Sequence, residues 1–407
     1  MSKPESSPPT ELVKKPEQVA EVCADCRSQG RFAFDTEFVM EDRYETEVCL
    51  IQIATASSVA IIDPLLGLDL GEIWALVADP KVETIVHAGQ EDLALCVQHT
   101  GQIPRCIYDV QIAAGLAGQD YPLSLQKLVQ ALLNIRLHKG KTLTDWRRRP
   151  LSDAQIRYAA QDVQHLLAVH HNLTAQLEKS KRQTWAKAEF QRFEQLSLYD
   201  RAVEEKLRRV KGTGAMRGRQ LAVVNDLLAW RDELACKLNR PARVVLKDHL
   251  LVEIARTGIS SYSQVRDLRG LNLSDSNVRG MCEVARAALN KPSDQWPKPQ
   301  PRDEETPNEA VLVTLLTALV RSYCLENKLA YSLVATKHSI RQLVRHRAGS
   351  SRSTDHKDVE LLSGWRGGSV GAFLDEVLKG QRRIRIEQVR GQAKVLTESI
   401  GEAELPR

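Results

Sequence analysis

Two acids separated by one residue end an apolar, β-favouring run at Phe32-Ala33-Phe34-Asp35-Thr36-Glu37-Phe38. Alternate side chains of a strand share a face, so Asp35 and Glu37 point the same way, roughly 7 Å apart along the chain. Carboxylates this close repel unless a cation lies between them. A solvated strand end also accommodates such a pair, so the remaining ligands decide between the two. In His87-Ala88-Gly89-Gln90-Glu91-Asp92 a strand ends, a small-residue turn follows, and Asp92 falls in the first helical turn, where a carboxylate also serves as a cap or dipole partner. In Tyr158-Ala159-Ala160-Gln161-Asp162 the tyrosine and the last aspartate are i, i+4 and share one helix face. Tyr108-Asp109-Val110 is a strand end that offers a further acid near the same place.

Taken together, Asp35, Glu37, Asp92 and Asp162 form a set of hard oxygen ligands without a His–Cys cluster, which points to Mg²⁺ or Mn²⁺ and away from zinc. Four carboxylates can hold two divalent cations about 3.5–4 Å apart, the arrangement that hydrolyses phosphodiesters. One cation lowers the pKa of the attacking water and the other stabilises the leaving oxyanion.

These residues need a layered scaffold. Strand-like runs at Arg31–Val39, Glu47–Ala56 and Val59–Asp63 follow one another without a helix, which predicts an antiparallel meander. Helical and strand patterns then alternate: Leu70–Ala78 helix, Glu83–His87 strand, Gln90–His99 helix, Cys106–Asp109 strand, Val110–Leu116 helix and Ser124–Leu133 helix. The expectation is an α/β fold with a mixed, partly parallel sheet. After a basic loop, Arg136 to Arg149, Ser152 caps one long helix whose apolar residues Ile156, Ala159, Val163, Leu166 and His170 keep helical spacing to about residue 175.

At 407 residues the chain exceeds one ordinary core, and its 43% hydrophobic and 27% charged content is that of a soluble globular protein. The net charge of +5 suits a polyanionic partner only weakly. Met1–Pro16 lacks the apolar segment of a signal peptide, and no apolar stretch reaches 18 residues, so neither secretion nor a membrane span is expected. Of the eight cysteines only Cys23 and Cys26 form a Cys-x-x-Cys, and both fall in a helix from Pro16 to Gly30, as core or surface thiols. The expectation is a reduced, cytoplasmic protein. The boundaries read as a disordered tail 1–17, an α/β domain 18–175, a charged connecting helix 176–212, a helical domain 213–292, a Pro-rich linker 293–308 and a helical region 309–400.

The motifs FDTEF, HAGQED and YAAQDV, in this order across residues 18–175, and the passage LTDWRRRPLSDAQIRYAAQDV resemble ribonuclease D and the wider DEDD superfamily of 3′-to-5′ exonucleases. The resemblance implies a ribonuclease H-like exonuclease domain in which Asp35, Glu37, Asp92 and Asp162 are the metal-binding acids. Tyr158 matches the residue of the superfamily's tyrosine branch. A phenol with pKa near 10 is a poor base at neutral pH, so its expected work is to aim a water. His138-Lys139-Gly140 departs from relatives, which usually carry an acid before the lysine, and this touches loop contacts only.

The segment LLAWRDELACKLNRPARVVLKDHLLVEIAR resembles the HRDC domain, a helical nucleic-acid-binding module found in ribonuclease D and RecQ-type helicases. LLSGWRGGSVGAFLDEVLKG resembles a divergent second HRDC-like domain. Phe38, Arg147, Arg148 and Arg149 beside the acids, and Arg240, Arg243 and Lys247 on the HRDC segment, are candidate RNA contacts, although each basic residue also suits a solvated surface or an ion pair. His165, one turn past Asp162, suits either packing or orientation of that acid. Gly140-Lys141-Thr142 lacks the earlier glycine of a phosphate-binding loop, since Ile135 stands there, so ATP is not expected.

The leading expectation is a metal-dependent 3′-to-5′ exoribonuclease trimming structured RNA such as tRNA precursors. The alternatives are a DNA-directed exonuclease, because only 2′-OH contacts separate the two substrates, and a catalytically silent nucleic-acid-binding protein. Retention of all four acids and the tyrosine argues against the last.

Overall fold

The computed structural model describes residues 9–40, 43–138, 145–199, 206–207, 209–297, 305–349, 359–389 and 392–400. Lys139, Gly140, Lys141 and Thr142 lie outside them. Six strands form the sheet: β1 (Thr10–Val13), β2 (Arg31–Val39), β3 (Glu47–Ala54), β4 (Val59–Ile62), β5 (Glu83–Val86) and β6 (Ile107–Asp109). Their order is β1-β4-β3-β2-β5-β6. The expected meander β2-β3-β4 is antiparallel, while β5 and β6 add to β2 in parallel and β1 adds to β4 in parallel. β1 corrects the disordered tail read for 1–17: Thr10–Val13 pairs with Val59–Ile62, and Val13 is fully buried. A four-residue strand inside a polar segment carries too little pattern to be seen before its partner is known.

Alternation sends Phe32, Phe34, Ile51, Ile53 and Ile62 to one face of the sheet, against α1 (Pro16–Gln29), α2 (Gly71–Val77) and α3 (Gln90–Thr100). Ala33, Leu50, Ala54, Val59 and Ile61 face the other way, toward α4 (Val110–Ala117), α5 (Leu125–Leu133), α6 (Asp153–Val163) and α7 (Leu166–Lys179). Asp35 and Glu37 belong to this second face by the same alternation. The single long helix expected from Ser152 is two, divided at Gln164-His165. No Pro or Gly marks that division. α6 follows β2, β3 and β4, whereas α7 follows α4 and α5, so two packing surfaces set the direction change.

The connecting region is not one continuous helix: α8 (Gln183–Phe190) gives way to short 3₁₀ turns at Gln191–Glu194 and Leu196–Leu198. The next module has its own core, in which Leu227, Leu228 and Leu234 of helix Arg219–Leu238 meet Leu250, Leu251 and Ile254 of helix Asp248–Thr257 and Met281 and Ala285 of helix Asp275–Leu289. The last region, read as all-helical to residue 400, ends instead in a β-hairpin, Arg382–Val389 with Gln392–Ser399. Nor is its core separate. Val313, Leu316 and Leu333 share one apolar cluster with Val110, Ala114 and Leu116 of α4, and Ala330 N–H donates to Gly115 O at 3.0 Å. Gly115 suits that approach, because a Cβ there would lie 2.9 Å from the Leu333 side chain and displace it. The helix Pro307–Glu326 is long and apolar enough to cross a membrane by length and composition, which corrects the expectation of no such stretch. Its face Val313, Leu316, Leu319, Val320 and Cys324 is buried in the shared core.

Candidate active site

The acid pair survives burial because β2 is held on both sides, antiparallel by β3 and parallel by β5. A register shift between Glu37 and Phe38 ends the regular ladder just past the second acid. Asp92 arrives from the first turn of α3, after the tight turn Ala88-Gly89. A Cβ on Gly89 would lie 2.5 Å from Val86, so only glycine lets the chain turn this closely over the end of β5. Asp109, read as a further acid near the site, is occupied otherwise. Its carboxylate accepts from the backbone N–H of Ala88, Gly89, Gln111 and Ile112 at 2.8–3.4 Å, capping α4 and fixing the turn that delivers Asp92.

α6 presents Asp162 and, one turn earlier, Tyr158. Ser152 caps it as expected, its hydroxyl accepting from Gln155 N–H at 3.3 Å. Carboxylate oxygens of Asp35, Glu37 and Asp162 all lie within 4.8 Å of one another. Asp92 lies beside this trio with Oδ1 accepting from Thr36 N–H at 3.1 Å and from the Thr36 hydroxyl. Thr36, between the two strand acids and on the opposite face, was not singled out in the sequence. Its position between two ligands is the signal that marks it.

The electrostatics are those of an uncompensated cluster. Burial, then Asp92, Asp162 and Glu37, hold the Asp35 carboxyl well above the usual range. Burial and the charges of Asp162 and Asp92 push Glu37 up to about 8. Asp162 rises to about 7, mainly by burial, against a hydrogen bond from Tyr158. Burial raises Asp92 too, opposed by Thr36. The Tyr158 phenol is pushed far above its ordinary value by burial and by the neighbouring acids, so it stays protonated and can donate but not act as a base. Its ring lies 6.0 Å from that of buried Trp146, a contact the sequence did not disclose. An all-oxygen donor set whose members resist ionisation together fits hard divalent cations.

The candidate RNA contacts divide. Arg149 is engaged in the fold: its guanidinium takes both oxygens of Asp63 at 2.6 Å and donates to Cys49 O and Trp146 O. Arg147 pairs with Glu47 at 2.6 Å. Both tie the segment before α6 to the sheet. Arg148 is exposed. Phe38 is half-buried against the apolar face that holds Phe34. Arg240, Arg243 and Lys247 are exposed on the helical module, Arg243 standing 3.8 Å from Asp248. His165 pairs with neighbouring Gln164 at 2.9 Å. The HRDC segment meets the exonuclease domain where Asn239 Oδ1 accepts from the N–H groups of Tyr44 and Glu45, in the loop after β2. Cys23 and Cys26 are fully buried thiols, pushed up by burial to about 11 and about 12.

A mixed sheet whose half-buried strand carboxylates meet an aspartate and a tyrosine from α6 defines a 3′-5′ exonuclease domain, and the 3′-5′ exonuclease family matches residues 10–178, with the HRDC domain family matching 220–273. Ribonuclease D of Gluconacetobacter diazotrophicus is 31% identical over 371 residues, covering 90% of this chain and 91% of that protein. Ribonuclease D of Haemophilus influenzae is 32% identical over 366 residues, covering 88% and 90%. The crystal structure of Escherichia coli RNase D, described as an exoribonuclease involved in structured RNA processing, superposes with a TM-score of 0.78 at 27% identity, over 91% of this chain and 99% of that one. The catalytic core of RRP6 from Trypanosoma brucei shares the fold, with a TM-score of 0.53 at 21% identity over 71% and 81%. The chain belongs to the ribonuclease D family of 3′-to-5′ exoribonucleases.

Proposed function

We propose that this exoribonuclease trims structured RNA precursors, tRNA among them, from a free single-stranded 3′ end and releases 5′-mononucleotides. The observation that carries the reading is the half-buried trio Asp35, Glu37 and Asp162, with oxygens within 4.8 Å of one another and Asp92 alongside. These four acids would hold two divalent cations, Mg²⁺ or Mn²⁺, which would supply a lowered pKa for a bound water and charge stabilisation for the leaving oxygen. In the hydrolysis a water oxygen bonds to phosphorus, the P–O3′ bond breaks, and a proton passes to the departing 3′ oxygen.

The chain's own residues supply position. Asp92 braces β2 between the two strand acids through Thr36, while Tyr158, protonated and hydrogen-bonded to Asp162, aims the attacking water. Exposed Arg148, and Arg240, Arg243 and Lys247 on the HRDC module, offer phosphate contacts along the way in. A cytoplasmic location fits eight cysteines, none in a disulfide.

The test uses 5′-labelled RNA and DNA of one sequence, with free or blocked 3′ ends, in Mg²⁺ or EDTA. Stepwise shortening of RNA, dependent on metal and on a free 3′-OH, is the expected result. Internal cleavage, digestion from the 5′ end or equal digestion of DNA would overturn it.

A further inference from the structure

β3 is an apolar strand with one interruption. Val48, Cys49, Leu50, Ile51, Ile53 and Ala54 are all buried, and Gln52 among them is buried completely. Neither Gln52 Nε2 nor Oε1 has a hydrogen-bond partner among the described residues. Leaving a buried amide unpaired is unfavourable for each polar group, which a valine or leucine at this place would avoid. A strand that needed only to pack would not carry it.

The register shows what the amide faces. Gln52 pairs with Asp35 across the antiparallel β2–β3 ladder, and directly opposed residues put their side chains on one face, Cβ atoms about 4.5–5.5 Å apart. Glu37, opposite Leu50, is its diagonal neighbour, within reach of a long side chain. On the far side Gln52 pairs with Ile61 of β4, which offers no polar side chain. Asp35 is thus the cross-strand group that can accept from the amide, and it does so best when ionised, with lone pairs on both oxygens.

We propose that Gln52 is a positioning residue of the acid cluster. Its Nε2–H donates to the outer oxygen of the ionised Asp35 carboxylate and turns the other oxygen toward Glu37 and Asp162. Hydrogen bonds of this kind orient ligands, and their removal typically weakens metal binding about 10–100-fold. The proposal rests on the reading of Asp35, Glu37, Asp92 and Asp162 as metal ligands.

Gln52→Met keeps the side chain's volume and removes both polar atoms, so the fold tolerates it. Three quantities are measured on the full chain beside wild type: thermal midpoint in EDTA, Mn²⁺ affinity by calorimetry, and kcat and KM on a labelled RNA. The expected result is a midpoint equal to or above wild type, Mn²⁺ binding weakened about 10–100-fold, and kcat lowered at nearly constant KM. Wild-type Mn²⁺ affinity in the variant overturns the proposal alone, whether or not the midpoint falls, since a residue that only packs would move stability and not metal binding. Absence of Mn²⁺ binding by the wild-type protein removes the metal reading and this proposal with it.

Discussion

Two groups of carboxylates in this molecule meet opposite fates. At the junction of α8 with the last region, Glu189 is buried, yet Arg366, Trp365 and Arg192 reach it. Burial alone would raise its carboxyl; the hydrogen bond and charge of Arg366 outweigh that and hold it below the usual range. At the open end of the sheet Asp35, Glu37 and Asp162 are half-buried with no cationic side chain of the described residues beside them to offset desolvation and mutual repulsion, and all three are pushed up. The first arrangement is complete within the chain and fastens two regions together. The second, in the proposed function, is completed from outside by cations. A buried acid is therefore read by what neutralises it, not by its burial.

The contrast can be broken at several points. Replacing Asp35 with Asn should reduce hydrolysis about 1,000-fold or more, a loss of several kcal/mol of transition-state stabilisation. The metal-free variant should melt no lower than wild type, because a neutral amide replaces a carboxyl that resists ionisation. Paired assays of turnover and of thermal midpoint in EDTA check both halves, and near-normal turnover would sink the two-metal reading. Glu189→Ala should do the reverse. It leaves Arg366 buried without its partner and should cost about 3–5 kcal/mol of stability, measured by denaturant unfolding, with little change in turnover per folded molecule. Tyr158→Phe should lower kcat about 100-fold, the low end of what a positioned proton donor contributes, with Mn²⁺ affinity nearly intact. An unchanged kcat would end the water-aiming role.

A pH dependence of opposite sign should separate the two places. Glu37 and Asp162 have folded-state pKa values of about 8 and about 7 against ordinary values of 4.5 and 3.8. In EDTA their stabilising contribution is therefore complete below about pH 4 and lost as pH rises through about 7 to 8. Glu189, depressed, contributes above its ordinary value of 4.5 and loses that contribution as pH falls below it. Melting curves from pH 4 to 8 with EDTA or Mg²⁺ should show the alkaline loss only in EDTA. A loss of equal size in Mg²⁺ would mean that cations do not compensate the cluster.

Much of the site was legible in the chain because its signals are local. Alternation along β2 places Asp35 and Glu37 on one face, helical spacing joins Tyr158 to Asp162, and a small-residue turn before Asp92 announces the start of α3. The ion pair of Arg149 was not legible because its partner Asp63 stands 86 residues away, and nothing near the Arg147–Arg149 run distinguishes a phosphate contact from an ion pair. Asp109 looked like a fifth acid for the same reason: its four backbone donors become visible only when β5 and β6 lie side by side.

By itself the sequence determined the mixed sheet and the helical module after it, which follow from short-range periodicity and residue type, and its motifs marked the candidate acids. Tertiary structure alone decided the rest. It set β1 on the sheet edge, divided the helix after Val163, fused the last region to α4 through one core, and turned the chain's end into a hairpin. It also brought Gln52 opposite Asp35. Each of these depends on a partner far along the chain, and pairing energy is gained only when the two surfaces meet.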